Sequence, residues 1–352
     1  MVAGPIVLVL AGFLVLRATS DAQWTAGVDH EVLFAPGDQP TKAYRIPAMT
    51  VAGDTVLAFA ESRQEAMSDL LDIDIVQRRS TDGGRTWSDI AVVAADGAHT
   101  VHSPTPVYDP KTQTVWLPYC IDYERLMMIS STDAGMTWSP PRELTDEVGL
   151  APDTWCHNGP GNGIVLESGR LLVPTTLNEP RALFSDDHGA TWQFGGPMGE
   201  GEEPQVFQRI DGAVCANIRS PRGEPRTVTC STDQGQTWPP AGPDPHLLSA
   251  GTQASIMRYS GMDDGQRSRV LFSSPGQPYR AEMTLRLSYD DARTWPVSRV
   301  LWSGASGYSQ LAVLPDGTIL LAFEAGEHDL RESITLARVD LDWLTGGEEP
   351  VA

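Results

Sequence analysis

The chain is poor in basic residues: 25 Lys and Arg stand against 46 Asp and Glu, a formal net charge of −21 over 352 residues. That shortage excludes a nucleic-acid backbone as partner, because phosphate binding needs a basic face, and it argues equally against docking on anionic lipid. A small anion stays open, since a few inward arginines can make a local positive pocket in an acidic protein. Cysteine is scarce. Cys120, Cys156, Cys215 and Cys230 form no CxxC pair, which removes the usual zinc spacings. Four separate buried thiols are the expected state, although Cys215 and Cys230 lie on two runs, VCANIR and TVTC, that read as neighbouring strands. Helical periodicity is almost absent. Long apolar runs are lacking as well, apart from Ile6 to Leu16, which is too short to span a bilayer comfortably. That run fits the core of a secretory signal ending at Ser20-x-Ala22, although no Lys or Arg precedes it. The expectation is a signal peptide over 1–22, one domain over 23–352, and a secreted or periplasmic protein with no other membrane association.

Glycine and proline are abundant, 33 and 27, and turns on that scale favour many short strands over a helical bundle. One octapeptide recurs: Ser80-TDGGRT-Trp87, Ser131-TDAGMT-Trp138, Ser185-DDHGAT-Trp192, Ser231-TDQGQT-Trp238 and Ser288-YDDART-Trp295. The pattern is S-x-D-x-G-x-T-W, with Ala292 at the glycine position of the fifth copy, and the starts are 51, 54, 46 and 57 residues apart. Each copy reads as a hairpin turn. Its Asp accepts from backbone N–H groups two or three residues on, its Gly supplies a backbone angle that a Cβ resists, and its Trp packs between sheets. The run before each copy is strand-like, as in IDIVQRR and RTVTC. Further strand pairs flank polar turns at 165–174, 207–218 and 311–323. A period near 50 residues with four short strands each is the blade of a β-propeller. Residues 30–345 hold six such units, so the expected fold is all-β, a six-bladed β-propeller. The one unit without the motif is closed by both chain ends, with 334–344 meeting the early strands. Repeats of this kind serve hydrolases and pure binding propellers alike.

The Tyr44-Arg45-Ile46-Pro47 stretch ahead of this array resembles the exo-sialidase (neuraminidase) family, and the similarity extends to about Glu324. The resemblance implies a site for a sugar carrying a carboxylate on its anomeric carbon, and planar bidentate arginine suits such a group better than lysine. Three arginines match the family's carboxylate clamp: Arg45 in YRIP, Arg219 in CANIR, and Arg280 in PGQPYRAEMTLRLS. Tyr308 in SGYSQL matches the family's nucleophile. A phenol avoids the repulsion that a carboxylate would meet at a centre already bearing one, and tyrosine-using sialidases stand outside the two-carboxylate scheme. Glu203 in EGEEPQVF matches the base that takes the phenolic proton, with Glu202 as the alternative. Asp69, nine residues before the Arg78-Arg79 pair, matches the acid/base on a loop, whereas Asp72 and Asp74 alternate with Ile73 and Ile75 as outward strand residues. Arg63 in AESR matches an arginine beside the substrate, and Glu324 in LLAFEAG a glutamate that braces Arg45. The segments 102–108 and 153–164, with Trp155 and His157, match the loops around the acetamido and glycerol arms.

The resemblance thus implies a retaining exo-sialidase that acts on sialylated glycans as a monomer, with no cofactor and no metal. Three other readings share the same residues. One is a hydrolase of a related nonulosonic acid such as the deaminated form, one a trans-sialidase, and one a non-catalytic propeller that binds glycans. The last should have lost Tyr308, Glu203 or an arginine, and all are present.

Overall fold

The computed structural model describes residues 22–37, 41–65, 68–261, 265–276 and 278–349. The expected leader over 1–22 therefore lies outside the described residues except for Ala22. Strand β1 (Asp29–Phe34) precedes an antiparallel sheet of β2 (Ala43–Ala52), β3 (Thr55–Arg63), β4 (Ile73–Ser80) and β5 (Ala91–Ala94). The second sheet holds β6 (Val101–His102), β7 (Val107–Asp109), β8 (Thr114–Ile121), β9 (Arg125–Ser131) and β10 (Arg142–Glu143). The third holds β11 (Cys156–Asn158), β12 (Ile164–Val165), β13 (Leu171–Leu177), β14 (Glu179–Ser185) and β15 (Gln193–Phe194). The fourth is β16 (Glu202–Gln208), β17 (Val214–Arg219), β18 (Pro225–Ser231) and β19 (Gly242–Leu248).

The remaining strands are β20 (Ser255–Ser260), β21 (Arg269–Gly276), β22 (Ala281–Ser288), β23 (Val297–Val313), β24 (Ile319–Gly326) and β25 (Ser333–Val339), followed by a short helix, α1 (Leu341–Thr345). They form one seven-stranded sheet in the order β20-β21-β22-β23-β24-β25-β1. Strand β23 serves both halves of it: its first half pairs with β22 and its second with β24. Counted by hydrogen bonding there are five sheets among the described residues. Divided at β23 there are six groups on the four-strand plan.

The fold is all-β, and the sheets stand in a ring. Contacts run from β2 to β7, β12 and β13, then through β16, β20 and β23, which returns to β2. The seams between sheets are filled by alternation along each strand. On β3, Val56, Ala58 and Ala60 enter the seam shared with Leu320, Ala322 and Leu336, while Leu57 and Phe59 enter the seam shared with Val115, Leu117 and Ile129. A strand buried on both faces reads as a continuous apolar run, as β3 does up to Ala60. The ring closes through the N-terminal strand, β1 lying antiparallel to β25.

The octapeptides join the third strand of a group to its fourth, and their geometry repeats closely. The Asp Oδ1 accepts from the Thr backbone N–H four residues on, at 2.9 Å for Asp82, Asp133, Asp233 and Asp290 and 2.8 Å for Asp187. The Thr hydroxyl donates to Oδ2, for example at 2.6 Å in Thr86 and Thr137. The acceptor reach is thus three and four residues, not the expected two or three, because the turn is wider than a simple Asx turn. The Ser hydroxyl donates to the Asp at 2.8 Å and accepts from the Gly N–H at 2.8 Å in the second and third copies. The group closed by β1 and β25 lacks the motif because its outer strand comes from the other end of the chain.

The cysteines correct one expectation. Cys215 and Cys230 face each other in register on β17 and β18 and form a disulfide. Strand pairing brings the two Cβ atoms together, which no spacing rule reveals. Cys120 and Cys156 remain free and buried, with sulfurs 2.8 Å apart.

Candidate functional site

Three inner strands break register beside a candidate residue: β2 between Arg45 and Ala48, β16 between Glu202 and Gln205, and β23 between Ser306 and Ser309. Such bulges re-aim side chains and gather next to active sites. Two of them carry left-handed backbone at residues other than glycine, Ile46 at φ 58° and Glu203 at φ 47°. For a β-branched residue this is a true outlier, and the surroundings must hold it there. Glu324 does so. It is buried on β24, its Oε1 accepts from Ile46 N–H at 3.1 Å, and its Oε2 accepts from Tyr308 N–H at 3.1 Å. The same carboxylate takes Arg45 Nε at 2.9 Å and Nη2 at 3.2 Å, a bidentate pair.

Beyond these bulges lies a cavity of about 270 Å³. Arg45, Arg63, Asp69, Glu203, Arg219, Arg280 and Tyr308 all line it, so seven of the eight residues expected from the sequence converge on one space. The eighth, Glu324, sits behind Arg45. Trp155, His157 and Glu202 line it too. Of the residues read as outward strand positions, Asp74 lies on β4 with its neighbours Ile73 and Ile75 buried, as alternation requires.

The Tyr308 hydroxyl donates to Glu203 Oε1 and accepts from Arg219 Nη1 at 3.0 Å. Arg219 also pairs with Glu203 Oε2 at 2.7 Å, and the Arg45 guanidinium stands 5.3 Å from the centre of the Tyr308 ring. Burial pushes the phenol well above its ordinary pKa, the Glu203 charge adds to this, and Arg219 and Arg45 oppose it. The resting phenol is neutral and has an acceptor for its proton in contact. Burial pulls Arg45 and Arg219 down, but Glu324 on the first and Glu203 on the second more than offset it, so both stay firmly charged. Arg280 differs. It donates to the Gly251 carbonyl, its Nε has no partner, and burial draws its pKa down. Among the described residues it makes no ion pair, which leaves its charge available to an incoming anion.

On the opposite side, Asp69 pairs with Arg63 Nη1 at 2.6 Å and lies 3.6 Å from Arg45 Nη1, with its side chain 62% exposed. Arg63 is itself held by Glu61 at 2.7 Å. Burial lowers the pKa of His157, and of His102 more strongly, so both are neutral donors and acceptors near neutral pH. Among the described residues no group of three His, Cys, Asp or Glu gathers as metal ligands.

Sequence reasoning missed Glu61 and Tyr123, and it took in Ser103 only as part of the 102–108 loop. Glu61 was within reach, since it precedes Arg63 by two on one strand and so shares its face. Ser103, at φ 59°, donates its N–H to Glu61 Oε1 at 3.0 Å. Its place depends on how β6 meets β3, which no local pattern encodes. Tyr123 sits with Asp122 in the tight turn after β8, where glycine would be ordinary.

A family profile described as "BNR repeat-like domain" matches residues 54–321. The chain is 34% identical over 346 residues to a sialidase of Micromonospora viridifaciens, covering 86% of this chain and 52% of that protein. It is 31% identical over 356 residues to an exo-alpha-sialidase of Aspergillus fumigatus, covering 87% of this chain and 86% of that one. The chain thus spans about half the length of the Micromonospora relative. Among solved structures it is similar to the Hadza microbial sialidase Hz136, with TM-score 0.78, 28% identity, and coverage of 88% and 68% of the two chains.

Proposed function

The chain belongs to the sialidase family, whose members are glycoside hydrolases, and on that premise we propose that it removes terminal sialic acids from glycans with retention of configuration. One observation carries the reading: a neutral phenol hydrogen-bonded to a carboxylate and a guanidinium, at the floor of a cavity where arginines from three sheets meet. Arg45, Arg219 and Arg280 hold the substrate carboxylate. Arg280 has no counter-ion to release among the described residues, and the other two are braced by Glu324 and Glu203.

In the first step the Tyr308 oxygen bonds to the anomeric carbon as the glycosidic bond breaks. The phenolic proton passes to Glu203, and protonated Asp69 gives its proton to the departing oxygen. In the second step Asp69 takes a proton from water, water oxygen bonds to the anomeric carbon, the tyrosyl bond breaks, and Glu203 returns its proton to the phenolate. Each step inverts the centre, so the product keeps the starting configuration. Positive charge developing on the sugar is met by the carboxylates already fixed around it. The test is turnover of a fluorogenic sialoside with NMR of the first sugar released. Tyr308→Phe is expected to lose on the order of 100-fold in kcat, and the first product to be the α anomer. Full turnover by the variant, or a β product, removes the proposed nucleophile.

A further inference from the structure

Tyr123 occupies a position where a tyrosine is strained. Residues 122–124 connect β8 to β9, with Glu124 N–H donating to the Ile121 carbonyl at 3.0 Å. Asp122 and Tyr123 both have left-handed backbone, φ 52° and 61°. Glycine or asparagine is the ordinary occupant of such positions, and a bulky side chain persists there only where its surroundings determine it. The surroundings do. The Tyr123 ring stacks on Trp155 at 4.0 Å and 18° and packs against His102 at 3.9 Å and 32°. Its N–H donates to His102 Nε2 at 3.3 Å. Next to it, Asp122 accepts from Thr100 N–H at 2.9 Å and pairs with His99 at 2.6 Å. The strain therefore delivers one phenol to one fixed point.

At that point the Tyr123 hydroxyl donates to the backbone carbonyl of Asp69 at 3.0 Å. Asp69 stands on the stretch between β3 and β4, which is also held by the Thr100 hydroxyl on the Leu71 carbonyl at 2.7 Å. The Asp69 side chain is mostly exposed. Its reach into the cavity depends on its own backbone and on the guanidinium groups of Arg63 and, at 3.6 Å, Arg45. We propose that Tyr123 is a positioning residue that clamps the Asp69 carbonyl and so sets the acid within reach of the glycosidic oxygen. The inference rests on the reading of Asp69 as the proton donor. Burial, with the carboxylates of Glu61 and Asp69, holds the Tyr123 phenol above its ordinary pKa, so it remains a donor across the working range.

The clamp serves one class of substrate. A sugar alkoxide is a poor leaving group and needs the proton, whereas an aryl leaving group departs with little help. The test compares kcat/KM on sialyllactose and on a methylumbelliferyl sialoside for the parent, Asp69→Ala and Tyr123→Phe. The phenylalanine keeps the ring for Trp155 and His102 and removes only the hydroxyl. The ratio of the two kcat/KM values does not depend on how much of a variant is folded.

Asp69→Ala is expected to lose about 100-fold or more on sialyllactose relative to the aryl substrate. Tyr123→Phe is expected to lose about 10-fold by the same ratio, since a small misplacement of the acid costs rate in proportion. A ratio unchanged by Tyr123→Phe while Asp69→Ala shifts it strongly overturns the clamp and leaves the reading of Asp69 intact. A ratio unchanged by Asp69→Ala overturns both.

Discussion

A single buried carboxylate does much of the work of holding this site. Glu324 receives four donors: two from Arg45, and the backbone N–H groups of Ile46 and Tyr308. It thereby ties the first inner strand to the last and fixes two of the three bulges. An amide in its place keeps the shape, loses the charge, and presents a donor to groups that are themselves donors. Glu324→Gln is expected to cost about 3–5 kcal/mol, because it leaves the buried Arg45 guanidinium with only the exposed Asp69 carboxylate, 3.6 Å away. The measurement is the denaturant midpoint, with KM for a sialoside expected to rise alongside. Glu202→Gln is the matched comparison. That side chain is 62% exposed and stands 3.9 Å from Arg219, so its stability change should stay within about 0.5 kcal/mol. Equal losses in the two variants would mean that the brace is not where the stability lies.

At the scale of the element, the octapeptide turns make two predictions. The first concerns acid. The Thr137 hydroxyl and N–H on the Asp133 carboxylate hold its pKa at about 2, below the ordinary 3.8. A group depressed on folding contributes stability in full above its unfolded value and loses it as pH falls through the folded one. The contribution is therefore present above about pH 4 and disappears towards about pH 2. Asp133→Asn is expected to flatten the fall in melting temperature over that window, and an unchanged slope would refute the linkage. The second concerns Ala292, which holds φ 64° where the other four copies have glycine. Ala292→Gly removes a left-handed Cβ at the cost of a more flexible unfolded chain, so a net gain of roughly 0.5 kcal/mol is expected. Chemical denaturation reads it directly, and a loss of stability would show that the packing of Ala292 against the core cluster of Phe207, Ile256 and Phe272 outweighs the strain.

These turns also mark what could be read in the sequence. Their period announced the strands, the ring and the closure by β1, because each turn is encoded locally by Ser, Asp, Gly and Thr. Arg45, Glu203, Arg219, Arg280 and Tyr308 were legible only through short motifs that match the sialidase family, since the turns themselves mark blades and no chemistry. The Cys215–Cys230 bond was not, because the choice between adjacent strands in register and adjacent strands one residue out is made by the pairing. Tyr123 was hidden for a similar reason. Its partner Asp69 is 54 residues away, and only the packing of the second sheet on the first brings them together.

At the scale of the molecule, charge and site pull in opposite directions. The chain carries −21, while the proposed substrate is an anion. The cavity gives little long-range help, since its four arginines face four carboxylates, Glu61, Asp69, Glu202 and Glu203. Attraction is thus a matter of contact, chiefly at Arg280, which has no ion pair among the described residues, and repulsion is a matter of the whole surface. Salt separates the two. At about 0.01 M the screening length is about 30 Å, so an approaching sialoside feels the entire negative body; at about 0.15 M it is about 8 Å, and only the cavity counts. Because kcat/KM starts from free enzyme and substrate and so includes the encounter, its value for sialyllactose is expected to rise a few-fold between those two ionic strengths. Towards about 1 M, where screening reaches about 3 Å, contacts at the arginines weaken and the value should fall again. A steady decline from the lowest salt would mean that the field at the cavity mouth is positive despite the acidic body. Arg280→Gln would then be expected to abolish that decline, whereas in the arrangement described here it removes only the high-salt limb.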